Sequence, residues 1–258
     1  MIRFADDIAI LTELKKDLER VMNGLDTVLR EEYKMKINRN KTKVMKCSKR
    51  KNEGTMEIKL GNETLSEVDE FCYLGSKITS DGGSVQDIKS RLAQARKAYE
   101  RKRTLLTSEI GLEVRKSFLK SFVWSIALYG CETWTIGVQE KRRLEASEML
   151  CYRRMLKVRW IDHVTNQEVL NKIGEGRNVW QNLKKRRDKF VGHILKQSGI
   201  VNRTLEGRVE GKNCRGRPRL CFINQNVKDV GCKKYSEMKR LAQDRKDWRA
   251  ASNQSDAY

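Results

Sequence analysis

The chain has 258 residues, with 55 Lys+Arg against 34 Asp+Glu and a formal net charge of +21. That length supports one or two domains with a real core, and so large a positive surplus points to a polyanionic partner, nucleic acid first. No long apolar span, signal peptide or lipidation motif is recognisable, so no membrane partner and a nuclear or cytoplasmic location are expected.

At the start of the chain, Arg3-Phe4-Ala5-Asp6-Asp7-Ile8-Ala9-Ile10-Leu11 sets two adjacent aspartates between short apolar runs of strand type. On a straight strand Asp6 and Asp7 would point to opposite faces, but at the tip of a tight hairpin both carboxylates can turn toward one space. There they repel unless a cation lies between them, and hard oxygen ligands suit Mg²⁺ or Mn²⁺. The dipeptide alone also fits an ordinary Asp-Asp turn. Phe4-Ala5-Asp6-Asp7 in this frame resembles the catalytic hairpin of reverse transcriptases, most closely those of non-long-terminal-repeat, LINE-like retrotransposons. The resemblance implies that Asp6 and Asp7 help to hold two metal ions, Mg²⁺ or Mn²⁺, which activate a primer hydroxyl and stabilise leaving pyrophosphate. The family draws a further metal-binding aspartate from an upstream strand. With Met1 as first residue, that strand, the fingers, the nucleotide-selecting motif and the endonuclease domain are expected to be missing.

Next, Leu14, Leu18, Val21, Leu25, Val28 and Leu29 recur at helical spacing, predicting a packing helix from a Thr12 N-cap to about Glu31. Ile37-Asn38-x-x-Lys41-Thr42 then resembles the family's turn into its next strand. Lys41 takes the position of a lysine that could protonate leaving pyrophosphate, or it is a solvated basic turn residue. Glu57–Leu60 and Glu63–Leu65, joined by Gly61-Asn62, predict a small hairpin. Phe71-x-Tyr73-Leu74-Gly75 resembles the primer-grip hairpin, where Tyr73, Leu74 and Gly75 would hold the primer end; Tyr73 fits a strand-core aromatic equally well.

Beyond Gly83 the pattern turns helical. Ser84-x-x-Asp87 reads as an N-terminal cap, and Ile88, Leu92, Ala95 and Tyr99 line one face of the helix behind it. Arg91, Arg96 and Lys97 fall on the remainder, as a polymerase thumb following a template–primer backbone would need. Val114, Phe118, Phe122 and Ile126 form another stripe, leading to Leu128-Tyr129-Gly130-Cys131-Glu132-Thr133-Trp134, a phrase that resembles a thumb signature of the same proteins. Tyr129 and Trp134 are expected as core anchors. A basic helix over about Lys141–Val158, a loop at Arg159–Asn166 and a helix capped by Thr165 with Glu168 follow. The Lys184-Lys185-Arg186-Arg187 tract within the next helix could also serve as a nuclear localisation signal. Arg215-Gly216-Arg217-Pro218-Arg219 fits either an AT-hook, with Arg215, Arg217 and Arg219 entering a minor groove, or a flexible basic connector. The seven cysteines include no CxxC pair, so reduced thiols and no zinc are expected.

The fold expected is α+β: a partial polymerase palm over residues 1–82, a helical thumb and linker over 83–198, and a basic C-terminal region over 199–258. The function implied is that of an RNA-directed DNA polymerase fragment, inactive by itself. A non-catalytic nucleic-acid-binding remnant is the alternative. Expected partners are an RNA template, a DNA primer or a duplex, together with the upstream polymerase segment.

Overall fold

Residues 1–47, 56–207 and 221–254 are described by a computed structural model, and the fold is α+β. The chain divides into two compact units at Gly83/Ser84. In the first, β1 (Ile2–Phe4) and β2 (Asp7–Ala9) pair antiparallel, with Phe4 opposite Asp7 across a turn of Ala5 and Asp6. Helix α1 (Lys15–Glu31) ends where its apolar periodicity ends, but it begins at Lys15; Thr12 does not cap it, and its hydroxyl instead donates to the Leu14 carbonyl at 3.2 Å. Short strands β3 (Lys43–Val44), β4 (Lys59–Leu60), β5 (Glu63–Thr64) and β6 (Ser66–Glu67) follow, β3 parallel to β6 and β4 antiparallel to β5. The β4–β5 turn is the Gly61-Asn62 pair expected, with Gly61 in the left-handed region at φ 62°. Then β7 (Glu70–Tyr73) and β8 (Ser76–Thr79) make a further antiparallel hairpin.

Met22, Val44, Ile58, Leu60 and Leu65 form the core of this unit, joined by Leu18, Ile10 and Ile37. Asn23 locks α1 to the β4–β5 hairpin: its amide donates to the Lys59 carbonyl at 3.2 Å, and its side-chain oxygen accepts from Gly61 N at 3.0 Å. The apolar face of α1 is narrower than its spacing predicts. Met22 is buried and Leu18, Leu25 and Leu29 are half-buried, whereas Leu14, Val21 and Val28, at seven-residue intervals, stay exposed with Ile2 and Phe4. Among the described residues the strands form two-stranded pairs, so no continuous sheet covers that stripe.

The second unit is helical. α2 (Val85–Arg101), α3 (Arg103–Leu106), α4 (Leu112–Leu119) and α5 (Ser125–Ala127) lead to α6 (Val138–Met155), α7 (Asn166–Ile173) and α8 (Asn178–Lys196). α9 (Ile200–Glu206), α10 (Phe222–Asp229), α11 (Tyr235–Leu241) and α12 (Arg245–Gln254) complete it. Ile88, Ala95 and Tyr99 of α2 enter the main core as their spacing predicts, beside Leu119, Val123, Trp124, Leu144 and Met155. Val191 and Leu195 of α8 build a second core with Val227, Met238 and Trp248, so the helices after residue 221 pack on α8 within the same unit.

The tertiary structure departs from two local expectations here. A π-helical turn at Lys120–Trp124 joins α4 to α5 and rotates the helix face, so Leu119, Val123 and Ala127 point inward while Val114 and Phe122 are exposed. Ser84 and Asp87 do not cap α2. They bind the segment before α6 instead: Ser84 Oγ accepts from Thr135 N at 3.1 Å, and the Asp87 carboxylate accepts from Trp134 Nε1 at 2.8 Å. The Thr165–Glu168 capping box of α7 forms as expected, with Thr165 N donating to Glu168 Oε2 at 2.6 Å.

Candidate functional site

The two-residue hairpin tip is Ala5-Asp6, one residue earlier than the Asp6-Asp7 tip expected. Ala5 takes the left-handed conformation at φ 51°, Asp6 completes the turn, and Asp7 is the first residue of β2. Both aspartates are exposed, beside Phe4 at 64% exposure. A non-glycine residue at positive φ carries strain of about 1 kcal/mol or more, and such positions gather at functional turns. Among the described residues no group of three or more His, Cys, Asp and Glu side chains forms a metal cage. Asp6 and Asp7 are two adjacent exposed carboxylates, a donor type that hard cations prefer.

Lys41 lies on the exposed turn that Asn38 organises, with Lys41 N donating to Asn38 Oδ1 at 3.1 Å and Thr42 N to the Asn38 carbonyl at 2.9 Å. In the β7–β8 hairpin, Leu74 at φ 47° and Gly75 at φ 81° are the turn residues, and two left-handed residues in sequence match the twist of the strands. Tyr73 is half-buried, and its hydroxyl has no hydrogen-bond partner among the described residues. No hydrogen bond or ion pair among the described residues joins Asp6 or Asp7 to Lys41 or Tyr73.

The cations expected on the outer face of α2 divide. Arg96 and Lys97 are exposed, but Arg91 is only 6% exposed. Its guanidinium lies 4.2 Å from the Tyr129 ring centroid and its Nε 3.8 Å from Asp87 Oδ1, which makes it a packing residue. Tyr129 correspondingly rests on the surface under Arg91, whereas Trp134 is the buried anchor expected. The tract at 184–187 is split in the same way: Lys184 and Arg187 are buried, Lys185 and Arg186 exposed, so it is not a continuous basic display. Arg187 is fully buried and donates to the Trp134 carbonyl at 3.3 Å, to Gln225 Oε1 at 3.2 Å and to the Asp229 carboxylate. Burial pushes the neighbouring Asp188 carboxyl up to about 6, against the opposing pull of Arg187, Ser252 and Lys184. Arg215, Arg217 and Arg219 lie outside the described residues.

Sequence reading missed Glu148. This buried carboxylate accepts from Asn178 N at 2.9 Å, Val179 N at 3.1 Å and Tyr152 Oη at 3.3 Å, so a side chain of α6 caps the N-terminus of α8. Its signal was present: Glu148 falls on the apolar face of α6 between Leu144 and Tyr152, where a charge needs partners. Also unforeseen is a cleft of about 380 Å³ lined along α6 by Arg142, Glu145, Ala146, Met149, Leu150 and Arg153, and beyond it by Asn166 and Arg177. Among the described residues no helix is long and apolar enough to cross a membrane.

A sequence profile of the reverse transcriptase (RNA-dependent DNA polymerase) family matches residues 1–78, the stretch that holds both aspartates and the β7–β8 turn. A transposon-derived protein of Caenorhabditis elegans is 22% identical to the chain over 264 aligned residues, covering 96% of this chain and 93% of its own length. No solved structure matches. The chain is thus reverse-transcriptase-related over its first 78 residues and similar, along nearly its whole length, to a transposon-derived protein.

Proposed function

We propose that the chain is the C-terminal part of a LINE-like retrotransposon reverse transcriptase, which binds nucleic acid and contributes two of the carboxylates of a two-metal polymerase site. The observation that carries this reading is the exposed Asp6-Asp7 hairpin inside the segment related to reverse transcriptases. Asp6 and Asp7 would hold Mg²⁺ or Mn²⁺, which when bound supplies charge stabilisation for nucleotidyl transfer. Lys41, on its exposed turn, would serve as the acid for the leaving group, and Tyr73-Leu74-Gly75 would position the primer end. Asp6 and Asp7 would supply two carboxylates, and a third would come from further polymerase polypeptide. The exposed Leu14, Val21 and Val28 stripe, with Ile2 and Phe4, is an apolar surface suited to such polypeptide.

A template–primer extension assay with Mg²⁺ or Mn²⁺ tests this. The 258-residue chain should not extend a primer; extension that disappears in Asp6→Ala would overturn the dependence on further polypeptide. A second reading, a non-catalytic nucleic-acid-binding remnant, rests on the net charge of +21 and the exposed cations of the helical unit. Supplying the upstream polymerase segment in trans distinguishes the two, because restored, Asp6-dependent extension excludes the remnant.

A further inference from the structure

Between α6 and α7 the chain makes a 3₁₀ turn at Trp160–Asp162, and the Trp160 indole is 93% exposed with Ile161 beside it at 65%. The other tryptophans are covered: Trp124, Trp134 and Trp248 are buried and Trp180 is half-buried. An indole left in water forfeits a large hydrophobic gain, and here the turn is braced so as to present it. Asp162 Oδ2 accepts from Arg159 N at 2.7 Å, its other oxygen lies 3.6 Å from Arg159 Nε, and His163 closes the turn at φ 47°. The base of the loop is pinned by Arg153, which donates to the Val164 carbonyl at 2.8 Å and to Asn166 Oδ1 at 2.9 Å.

Near Trp160 in the chain, Lys157 and Arg159 are exposed; Arg159 is engaged with Asp162, and Lys157 makes no ion pair among the described residues. An aromatic platform thus stands on a corner whose available charge is cationic. This pairing matches a strand that carries both phosphates and π-faces, and a π-face is free only where a base is unstacked. We propose that Trp160 is a stacking platform for an unpaired base of single-stranded nucleic acid, with the flanking phosphates drawn to Lys157 and Arg159. The assignment rests on the nucleic-acid reading above and adds to it a site and a strand preference.

The test is fluorescence anisotropy of the full chain at low salt, with a labelled oligo-dT strand and a blunt-ended duplex of equal length. Trp160→Ala should weaken single-strand binding about tenfold and leave duplex binding within about twofold. Trp160→Phe should restore most of the loss, and Lys157→Ala should flatten the salt dependence on the single strand by about one phosphate contact. Trp160→Ala should melt as the wild type does; unfolding would refute the exposure on which the assignment stands. Unchanged single-strand affinity, or equal loss on both probes, would overturn the proposal. So would a change in self-association at unchanged affinity, which would assign Trp160 to a protein interface. Wild-type chain that binds neither probe removes the nucleic-acid reading itself and this site with it.

Discussion

Trp248 lies directly on Gly192. A Cβ placed on Gly192 would stand 2.7 Å from Trp248 Cε2 and 2.9 Å from Cδ1, while the indole N–H donates to the Asp188 carbonyl at 3.0 Å. Helix α8 therefore needs a glycine one turn beyond Asp188 so that α12 can close the second core. Gly192→Ala in an exposed helix would gain stability by propensity, up to about 1 kcal/mol. Here it should instead cost about 1–3 kcal/mol through overpacking, measured by urea unfolding. Adding Trp248→Phe should reduce the penalty of Gly192→Ala, because the smaller ring relieves the contact. Additive losses would show that the two residues are not coupled.

Glu148 holds the start of α8 through two backbone N–H groups. Glu148→Ala leaves those donors and the Tyr152 hydroxyl without their acceptor, and should cost about 2–4 kcal/mol in chemical denaturation. Glu148→Gln keeps an acceptor at the same place and removes a buried charge, so less than half of that loss is expected.

The Asp188 carboxyl titrates at about 6 in the folded chain because it is buried. A carboxylate raised above its unfolded value binds its proton more tightly in the native state, so its contribution lowers stability as pH rises from about 4 to about 6. Asp188→Asn should abolish this component, which amounts to at most about 3 kcal/mol between those limits. Urea midpoints at a series of pH values measure it, and an unchanged slope in the variant would assign the pH dependence elsewhere.

Among the cations of α2, the exposed pair and the buried one should separate cleanly. Arg96→Ala and Lys97→Ala should each lower the salt dependence of nucleic-acid binding by about one contact at unchanged stability. Arg91→Ala removes the cation packed between Asp87 and Tyr129, and should cost about 2–4 kcal/mol of stability with the salt slope preserved. Thermal melts and binding titrations of the same three proteins check both halves.

Much of the local structure is legible in the chain because its causes are local. The left-handed demand of a two-residue turn is met by Gly61 and by Gly75, so the β4–β5 and β7–β8 hairpins fall where the residues place them. The Thr165–Glu168 box starts α7, and the spacing of Ile88, Ala95 and Tyr99 fixes the inner face of α2. The hairpin at Asp6 and Asp7 is likewise legible from its apolar flanks, though its turn falls at Ala5-Asp6 and Asp7 joins the strand.

What the sequence could not determine is the company each side chain keeps. Arg91 and Arg187 look like surface cations by type, and become buried because Tyr129, or Asp229 and Gln225, arrive from elsewhere in the chain. Ser84 and Asp87 have the chemistry of a cap, yet Trp134 and Thr135 compete successfully for both. The π turn at Lys120–Trp124 turns a clean helical stripe partly outward. Trp134 and Trp160 are the same residue type, one buried and one almost wholly exposed. The sequence by itself determined charge, periodicity and turn chemistry, which act over a few residues. Only tertiary structure decided burial and pairing, because desolvation depends on groups distant in sequence that meet after folding.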